Sequence, residues 1–261
     1  AMGVYRADMV NYPVHYTAAD PDRTSFVPLG MEKALSLKGI LSEHPKGVEF
    51  GHIVAGFHKY PYITEANGDT LSFPPIINSA TLGALQVGDG YMFVELTGTD
   101  MDSLLLACSL VACDFHDFGY EIEPVTVSYP YDTPYGRKVV TPHYFQKEIS
   151  LDTAYGSKLL GETFSTEEAA RHIRKAGNEV RPEGDHVVLS PPAYRNDFLH
   201  QADVVEEIMI GRGMKSFEPH MPKDYTIGRL SPAEIFSRRV REILVGLGFQ
   251  EMIYNYLGSR N

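Results

Sequence analysis

The sequence contains no tryptophan, only two cysteines, and fewer basic than acidic residues. Cys108 and Cys113 lie in one apolar segment with the pattern of a helix, and their spacing points them to different faces, so we expect neither a disulfide nor a zinc site. Unpaired thiols are typical of a reducing compartment, and we expect a cytoplasmic protein. The 23 basic and 34 acidic residues give a formal net charge of −11, which argues against a broad cationic surface for nucleic acid.

Several patterns that mark particular functions are also missing. No apolar run reaches the roughly 18 residues of a membrane span, and the first residues lack the basic and apolar segments of a signal peptide. The 10 histidines show no zinc spacing, and neither a nucleophile elbow nor a phosphate-binding loop is present. The sequence therefore predicts neither a membrane protein nor a hydrolase of the serine-triad or zinc type.

The first part of the chain alternates between helical and extended patterns. Ala1 and Met2 resemble the remainder of an expression tag, and an α/β (α+β) domain follows to residue 145. We expect its main elements to be a helix over Met31–Ser42, strands near Ile63 and over Tyr91–Leu96, and a helix over Met101–Phe115.

Residues 146–217 predict a second, smaller domain. Ser165 with Glu168 forms a capping box, and Gly177 is placed as the end of that helix. A hairpin follows, and Asn196 or Asp197 is then expected to cap a helix that runs to about Gly211. The order helix, hairpin, helix indicates a winged-helix-like α+β domain.

Residues 218–261 predict a linker and the truncated start of a third domain. Ser231 is expected to cap a helix that ends at Gly246 or Gly248. The segment "FQEMIYNYL", residues 249–257, predicts one strand. One helix and one strand cannot bury their apolar faces alone, so we expect the domain to be incomplete.

The segment "LSFPPIINSATLG", residues 71–83, contains two adjacent prolines that fix the backbone on either side of them. We expect it to form a rigid corner that presents Ser72 and Asn78. Such a corner is found either within a core or at the edge of a binding site, and the sequence leaves both open.

The segment "ELTGTD", residues 95–100, predicts the end of a strand followed by the start of an apolar helix. Glu95 and Thr97 point to the same side of a strand. Gly98 allows close backbone approach, and Thr99 or Asp100 would cap the helix. The free N–H groups of the helix end could hold an anion or a polarised carbonyl, or the segment could be only a capped turn.

The segment "YRNDFLHQADVVEEI" carries four carboxylates. In a helix, Asp203, Glu206 and Glu207 share one face, with Asp197 near the start. Like charges in one place repel, so this face is either solvated or holds a divalent cation such as Mg²⁺, which prefers oxygen ligands.

Taken together, these segments resemble a known family. "FGHIVAGFHKYPYITEANGDTLSFPPIINS" followed by "FVELTGTD" is similar to the editing module of the phenylalanyl-tRNA synthetase beta subunit, in its archaeal and eukaryotic form. "LSPPAYRNDFLHQADVVEEIMIGRGMKSFEP" resembles the small domain that follows this module, and residues 229–261 resemble the start of the catalytic-like domain. The resemblance covers essentially the whole chain in the order of the family.

The resemblance implies hydrolysis of tyrosine wrongly esterified to phenylalanine tRNA. It assigns the residues of the two predicted sites. The implied catalytic residues are Ser72, Glu95 and Thr97; the implied substrate-binding residues are Ile63, Asn78, Gly98, Thr99 and His52. The implied metal ligands, for Mg²⁺ shared with the alpha subunit, are Asp197, Asp203, Glu206 and Glu207.

The resemblance also implies partners. It predicts a tetramer of two alpha and two beta subunits that binds phenylalanine tRNA, with ATP used only by the complete enzyme. Two alternatives remain: a non-catalytic module that docks tRNA and the alpha subunit, and a free nucleic-acid-binding winged-helix protein. The acidic charge argues against the second alternative, and no DNA partner is expected.

Overall fold

The computed structural model describes residues 1–221 and 227–253, and it divides into two compact units, Ala1–Met214 and Lys215–Asn261. The first unit contains six helices and all the described strands. Strands β1 to β10 span, in chain order, Met2–Arg6, His15–Ala19, Ser25–Phe26, Leu35–Ser36, Tyr60–Thr64, Thr70–Phe73, Ile77–Asn78, Met92–Leu96, Val125–Ser128 and Lys138–Thr141. Helices α1 to α3 span Leu37–Glu43, Pro45–Phe50 and Met101–Asp117.

These ten strands form small antiparallel sheets. The largest has the order β2, β5, β6, β7, and its two faces are covered differently. On one face, Tyr62 and Phe73 join a cluster with α1, which supplies Leu37 and Ile40. On the other face, Ile63 packs against Tyr5 of β1, which pairs with β8. The sheet therefore lies between a helical layer and a two-stranded layer.

The predicted helix over Met31–Ser42 is correct only in its second half. Leu35–Ser36 pairs with Ser25–Phe26 as a strand, and the Ser36 hydroxyl then accepts a hydrogen bond from Gly39 N at 3.0 Å. The cap therefore lies inside the predicted helix, and α1 begins after it. The helix predicted over Met101–Phe115 is confirmed, with Asp100 as its cap.

The remainder of the first unit is a three-stranded antiparallel sheet covered by helices. Strands β11, β12 and β13 span Ile149–Asp152, Glu179–Glu183 and His186–Ser190, in the sheet order β11, β13, β12. Helices α4, α5 and α6 span Thr153–Leu160, Thr166–Arg174 and Gln201–Arg212. Leu151, Ile173, Leu189 and Val204 are fully buried where the sheet meets the helices. The predicted order of helix, hairpin and helix is present.

The caps of this region match the prediction at one helix and differ at the other. Ser165 Oγ accepts a hydrogen bond from Glu168 N at 3.1 Å, as expected for the start of α5. The predicted cap at Asn196 or Asp197 is wrong, because α6 begins at Gln201 with His200 as its cap, and Asp197 pairs with Arg195 in the preceding loop. Asp203 instead reaches back and accepts from His200 N at 2.7 Å.

The second unit contains helix α7, Pro232–Gly246, among its described residues. Ser231 Oγ accepts from Glu234 N at 3.1 Å, which confirms the predicted cap, and the helix ends at Gly246 as predicted. Of the predicted strand 249–257, residues 249–253 form no strand, and residues 254–257 lie outside the described residues. No helix in the described ranges has the length and apolar character needed to cross a membrane. The mixed α and β fold class is confirmed.

We expect Gly211→Ala to destabilise the chain, because α5 and α6 touch at this position. A β-carbon on Gly211 would overlap the backbone carbonyl of His172. Overpacking of this kind lowers the free energy of unfolding by about 1–3 kcal/mol. Gly56→Ala is the control, since no atom lies within 4 Å of the added carbon. Equal urea midpoints for the two variants would contradict this packing.

Candidate functional site

One row of side chains crosses the four-stranded sheet. Tyr16 lies opposite Ile63, Ile63 lies opposite Ser72, and Ser72 lies opposite Asn78. Residues directly opposite each other in an antiparallel sheet share one face. Three residues that the sequence predicted for the site are therefore neighbours in one row. Ile63 is buried in the core at the centre of the row.

Glu95 reaches the same row from β8. Its Oε1 accepts hydrogen bonds from the Tyr5 hydroxyl at 3.1 Å and from Ser72 Oγ at 3.5 Å. The Tyr5 hydroxyl also lies 3.4 Å from Asn78 Oδ1. Ser72, Asn78 and Glu95 thus meet around one buried phenol.

A cavity of about 200 Å³ opens at this meeting point. Its wall is the turn between β6 and β7, where Ile76 N donates to Phe73 O at 2.8 Å around Pro74 and Pro75. The residues lining the cavity are Ala1, Met2, Leu29, Lys46, Ser72, Phe73, Pro74, Pro75, Ile76, Ile77, Asn78 and Glu95. The double-proline corner is therefore both part of the core and the edge of a cavity.

The structure does not bring the other predicted residues into this cavity. The backbone carbonyl of Thr97 accepts a hydrogen bond from the terminal ammonium group of Ala1 at 2.7 Å. Gly98 and Thr99 connect β8 to α3, outside the cavity wall. His52 is exposed in a short turn, where its Nδ1 lies 3.2 Å from the carbonyl oxygen of Glu49.

The carboxylate of Glu95 is only partly satisfied. Within the described part of the chain, its Oε2 is buried and accepts no hydrogen bond. Burial raises the pKa of Glu95, and the donors Tyr5 and Ser72 partly offset the increase. Burial and the adjacent Glu95 also raise the pKa of Tyr5, so its phenol stays protonated and donates. The site therefore holds one strong acceptor with a free oxygen.

Sequence reasoning missed four residues of this site. Tyr5 and Gly3 belong to β1, whose pairing with distant β8 no local pattern indicated. Tyr16 is largely exposed at the end of the row. Its remaining burial and the charge of Glu95 raise the pKa of Tyr16. Lys46 lines the cavity from α2. The alternation in "GVYR" could have placed Gly3 and Tyr5 on one side of a strand.

The four carboxylates predicted to bind Mg²⁺ lie in different environments. Glu207 is buried and pairs with Arg195 Nη1 at 2.9 Å and with Asn178 Nδ2 at 2.8 Å. Asp197 accepts from Arg195 Nε and Nη2 at 3.0 and 2.7 Å, which lowers the pKa of Asp197. Asp203 caps α6, where two backbone amides lower its pKa. Glu206 is exposed.

These carboxylates do not fit a magnesium site in this structure. In residues 1–221 and 227–253, no three His, Cys, Asp or Glu side chains come together where they could hold a metal ion. The guanidinium of Arg195 lies between Asp197 and Glu207 and supplies the positive charge there. The expectation that the acidic residues share one solvated face is wrong for Glu207, which turns into the core.

We expect Glu95→Gln to change the pH dependence of stability. The folded-state pKa of Glu95 is raised, so the stability of the wild-type chain falls as pH rises from the unfolded pKa through the folded one. The variant carries no charge there and should be more stable than wild type above that window and similar below it. Urea unfolding between about pH 4 and pH 8 measures this difference. Exposed Glu32→Gln is the control, and an identical profile for both variants would refute the buried position of Glu95.

The chain is similar to known proteins over its whole length, and one region also matches a family model. Residues 149–214, which contain β11 to β13 and α4 to α6, match the model of the tRNA synthetase B5 domain. The whole chain is 46% identical over 261 residues to the phenylalanine–tRNA ligase beta subunit of Borrelia turicatae. It is 45% identical over 262 residues to that of Borreliella burgdorferi strain ZS7. The chain spans 46% of the length of each of these proteins.

A solved structure shares the fold. The N-terminal fragment of the phenylalanyl-tRNA synthetase beta subunit from Pyrococcus horikoshii superimposes with a TM-score of 0.75 at 30% sequence identity. The match covers 81% of this chain and 59% of that one. Sequence, domain model and fold agree, and the chain belongs to the family of phenylalanine–tRNA ligase beta subunits.

Proposed function

We propose that the cavity beside Glu95 hydrolyses tyrosine that has been esterified to phenylalanine tRNA. The observation that supports this proposal is the free Oε2 of Glu95, a buried acceptor at the wall of a small cavity. Tyrosine differs from phenylalanine by one hydroxyl, and that hydroxyl would complete the hydrogen bonding of Oε2. The cavity would therefore select the wrong amino acid and leave the correct ester intact.

The selectivity has a physical basis. A phenylalanine ester in the same position would leave Oε2 buried and unpaired, and the loss of such a bond is costly. Sites built to bond a substrate hydroxyl reject the analogue that lacks it by about 10⁴–10⁵. Hydrogen bonds from Tyr5 and Ser72 hold the other oxygen, so Glu95 would not need to reorganise when the ester enters.

Hydrolysis requires a water molecule to attack the ester carbonyl, with the ribose oxygen leaving as a hydroxyl that takes up the proton. Ser72 and Asn78 are the polar side chains on the sheet side of the cavity, and we assign them to orient the ester and the water. The described residues that line the cavity include no histidine. The water would therefore be activated by its position and by the neighbouring ribose hydroxyl.

We also propose the assembly in which this happens. The beta subunit would join an alpha subunit as a tetramer of two copies of each, bind phenylalanine tRNA, and take part in aminoacylation with ATP only in that complex. The acidic helix α6 would support this assembly through packing, since Asp203 and Glu207 are engaged within the chain. Cys108 and Cys113 are unpaired, which supports a cytoplasmic location.

A second function is favoured by one feature. Among the described residues that line the cavity, Glu95 is the one carboxylate, and none is a histidine. With Glu95 assigned to the substrate hydroxyl, no base in this lining is left to activate the water, which fits a module that docks tRNA and the alpha subunit without catalysis. Deacylation assays separate the two functions. If the cavity edits, the chain should hydrolyse phenylalanine tRNA that carries tyrosine much faster than the same tRNA that carries phenylalanine. Tight tRNA binding with no hydrolysis of either ester would favour the docking function.

We expect Glu95→Ala to weaken the preference for the tyrosine ester more than it weakens tRNA binding. The tyrosine hydroxyl would enter a closed site without an acceptor, at a cost of about 1–3 kcal/mol. The ratio of kcat/KM for the two esters measures the preference, with Glu32→Ala at an exposed position as the control. An unchanged ratio would move tyrosine recognition to another residue.

Lys46 should bind the phosphates of the acceptor end. Among the described residues that line the cavity, it carries the one basic side chain, and its Nζ lies 5.0 Å from the ring centre of Phe50. Lys46→Gln should raise KM for both esters several-fold and leave their ratio unchanged, because a phosphate contact carries no information on the amino acid.

Lys38→Gln is the matched control for this variant, since Lys38 pairs with Asp22 at 3.2 Å as Lys46 pairs with Glu49 at 3.5 Å, but Lys38 does not line the cavity. A weaker salt dependence of KM for the Lys46 variant alone would support the phosphate contact. An equal KM for both variants would exclude it.

A further inference from the structure

Tyr5 is the largest fully buried side chain among the described residues, and it carries a hydroxyl into the core. Its ring packs with Val10, Ile63 and Leu71, and its centroid lies 6.1 Å from that of Phe93. A phenylalanine would make the same apolar contacts. Packing therefore does not explain why this position carries a hydroxyl.

The hydroxyl of Tyr5 contacts the one side chain on which selectivity is proposed to depend. It donates to Glu95 Oε1 at 3.1 Å, while Ser72 Oγ lies 3.5 Å from the same oxygen. Both donors therefore act on one oxygen of the carboxylate, and Oε2 has no donor in the described chain. A carboxylate held at one oxygen has a fixed orientation, and its second oxygen has a fixed direction.

The opposite strand leaves room for this contact. Gly3 is the cross-strand partner of Glu95, and it lies on the same side of β1 as Tyr5. A β-carbon on Gly3 would overlap both the Tyr5 hydroxyl and Oε1 of Glu95. Any other residue at this position would require the phenol or the carboxylate to shift. The pair is therefore built into the pairing of β1 with β8.

We propose that Tyr5 is a positioning residue that holds Glu95 by Oε1 and thereby presents Oε2 to the hydroxyl of a tyrosine ester. This role rests on the proposed editing function. Tyr5 would not touch the substrate, and it would act by keeping Oε1 occupied. Without its hydroxyl, the carboxylate can rotate, and either oxygen can turn away from the cavity.

Tyr5→Phe tests this role because the ring stays in the core. We expect the ratio of kcat/KM for tyrosyl-tRNA over phenylalanyl-tRNA to fall about five- to tenfold, the effect of one lost hydrogen bond. The thermal midpoint should fall only modestly, because Ser72 remains as a donor to Oε1. The pKa of Glu95, followed by carboxyl NMR of the chain, should rise, because the Tyr5 hydrogen bond lowers it.

Tyr62→Phe is the matched control. Tyr62 is also a buried tyrosine, its hydroxyl is bonded to Thr70 Oγ1, and it belongs to the cluster on the opposite face of the same sheet. This variant should keep both the ester ratio and the pKa of Glu95. A loss of selectivity in both variants would point to general loosening of the sheet and would overturn the role of Tyr5.

The outcomes also separate this role from the editing function itself. If the wild-type chain hydrolyses neither ester, the proposed function fails and the role of Tyr5 fails with it. If the wild-type chain prefers the tyrosine ester and Tyr5→Phe keeps the same preference, only the role of Tyr5 is overturned. A reduced preference together with a raised pKa of Glu95 supports it.

Discussion

The buried carboxylate of Glu95 is the interaction on which the site depends. A charged group under the surface is costly unless its oxygens are bonded, and here the chain bonds only one of them. The donors to that oxygen are the hydroxyls of Tyr5 and Ser72. They reach it because β1 pairs with β8 and because the four-stranded sheet places Ser72 Oγ 3.5 Å from the same oxygen. The arrangement of the two sheets thus creates an acceptor that a substrate hydroxyl would satisfy.

In the region that matches the B5 domain, residues 149–214, a buried carboxylate has a structural role. Glu207 is fully engaged by Arg195 and Asn178, and Arg195 also pairs with Asp197. Removing one partner of such a group is strongly destabilising, by roughly 3–5 kcal/mol. The loop before α6 is therefore fastened to the helix by internal charges. The buried carboxylate of Glu207 has both oxygens bonded, whereas that of Glu95 has one oxygen without a donor among the described residues.

The sequence indicated much of this structure where the signal was local. The caps at Ser165 and Ser231 and the helix after Asp100 follow from short-range hydrogen bonding, and they were predicted correctly. The meeting of Ser72 with Glu95 came from the family resemblance. Contacts that depend on distant pairing were not predictable: Tyr5 reaches Glu95 only because β1 pairs with β8. Asp197 is not the cap, because α6 begins only at Gln201 and Asp197 pairs with Arg195 instead.

The role of Glu95 is best tested by a structure of the chain with a non-hydrolysable tyrosine ester analogue of the terminal adenosine. We expect the analogue's phenol oxygen to lie about 2.7 Å from Oε2 of Glu95, with Oε1 still bonded to Tyr5. The matching phenylalanine analogue should bind far more weakly. A tyrosine hydroxyl that points to solvent, or that bonds to a residue other than Glu95, would show that Glu95 does not recognise the tyrosine.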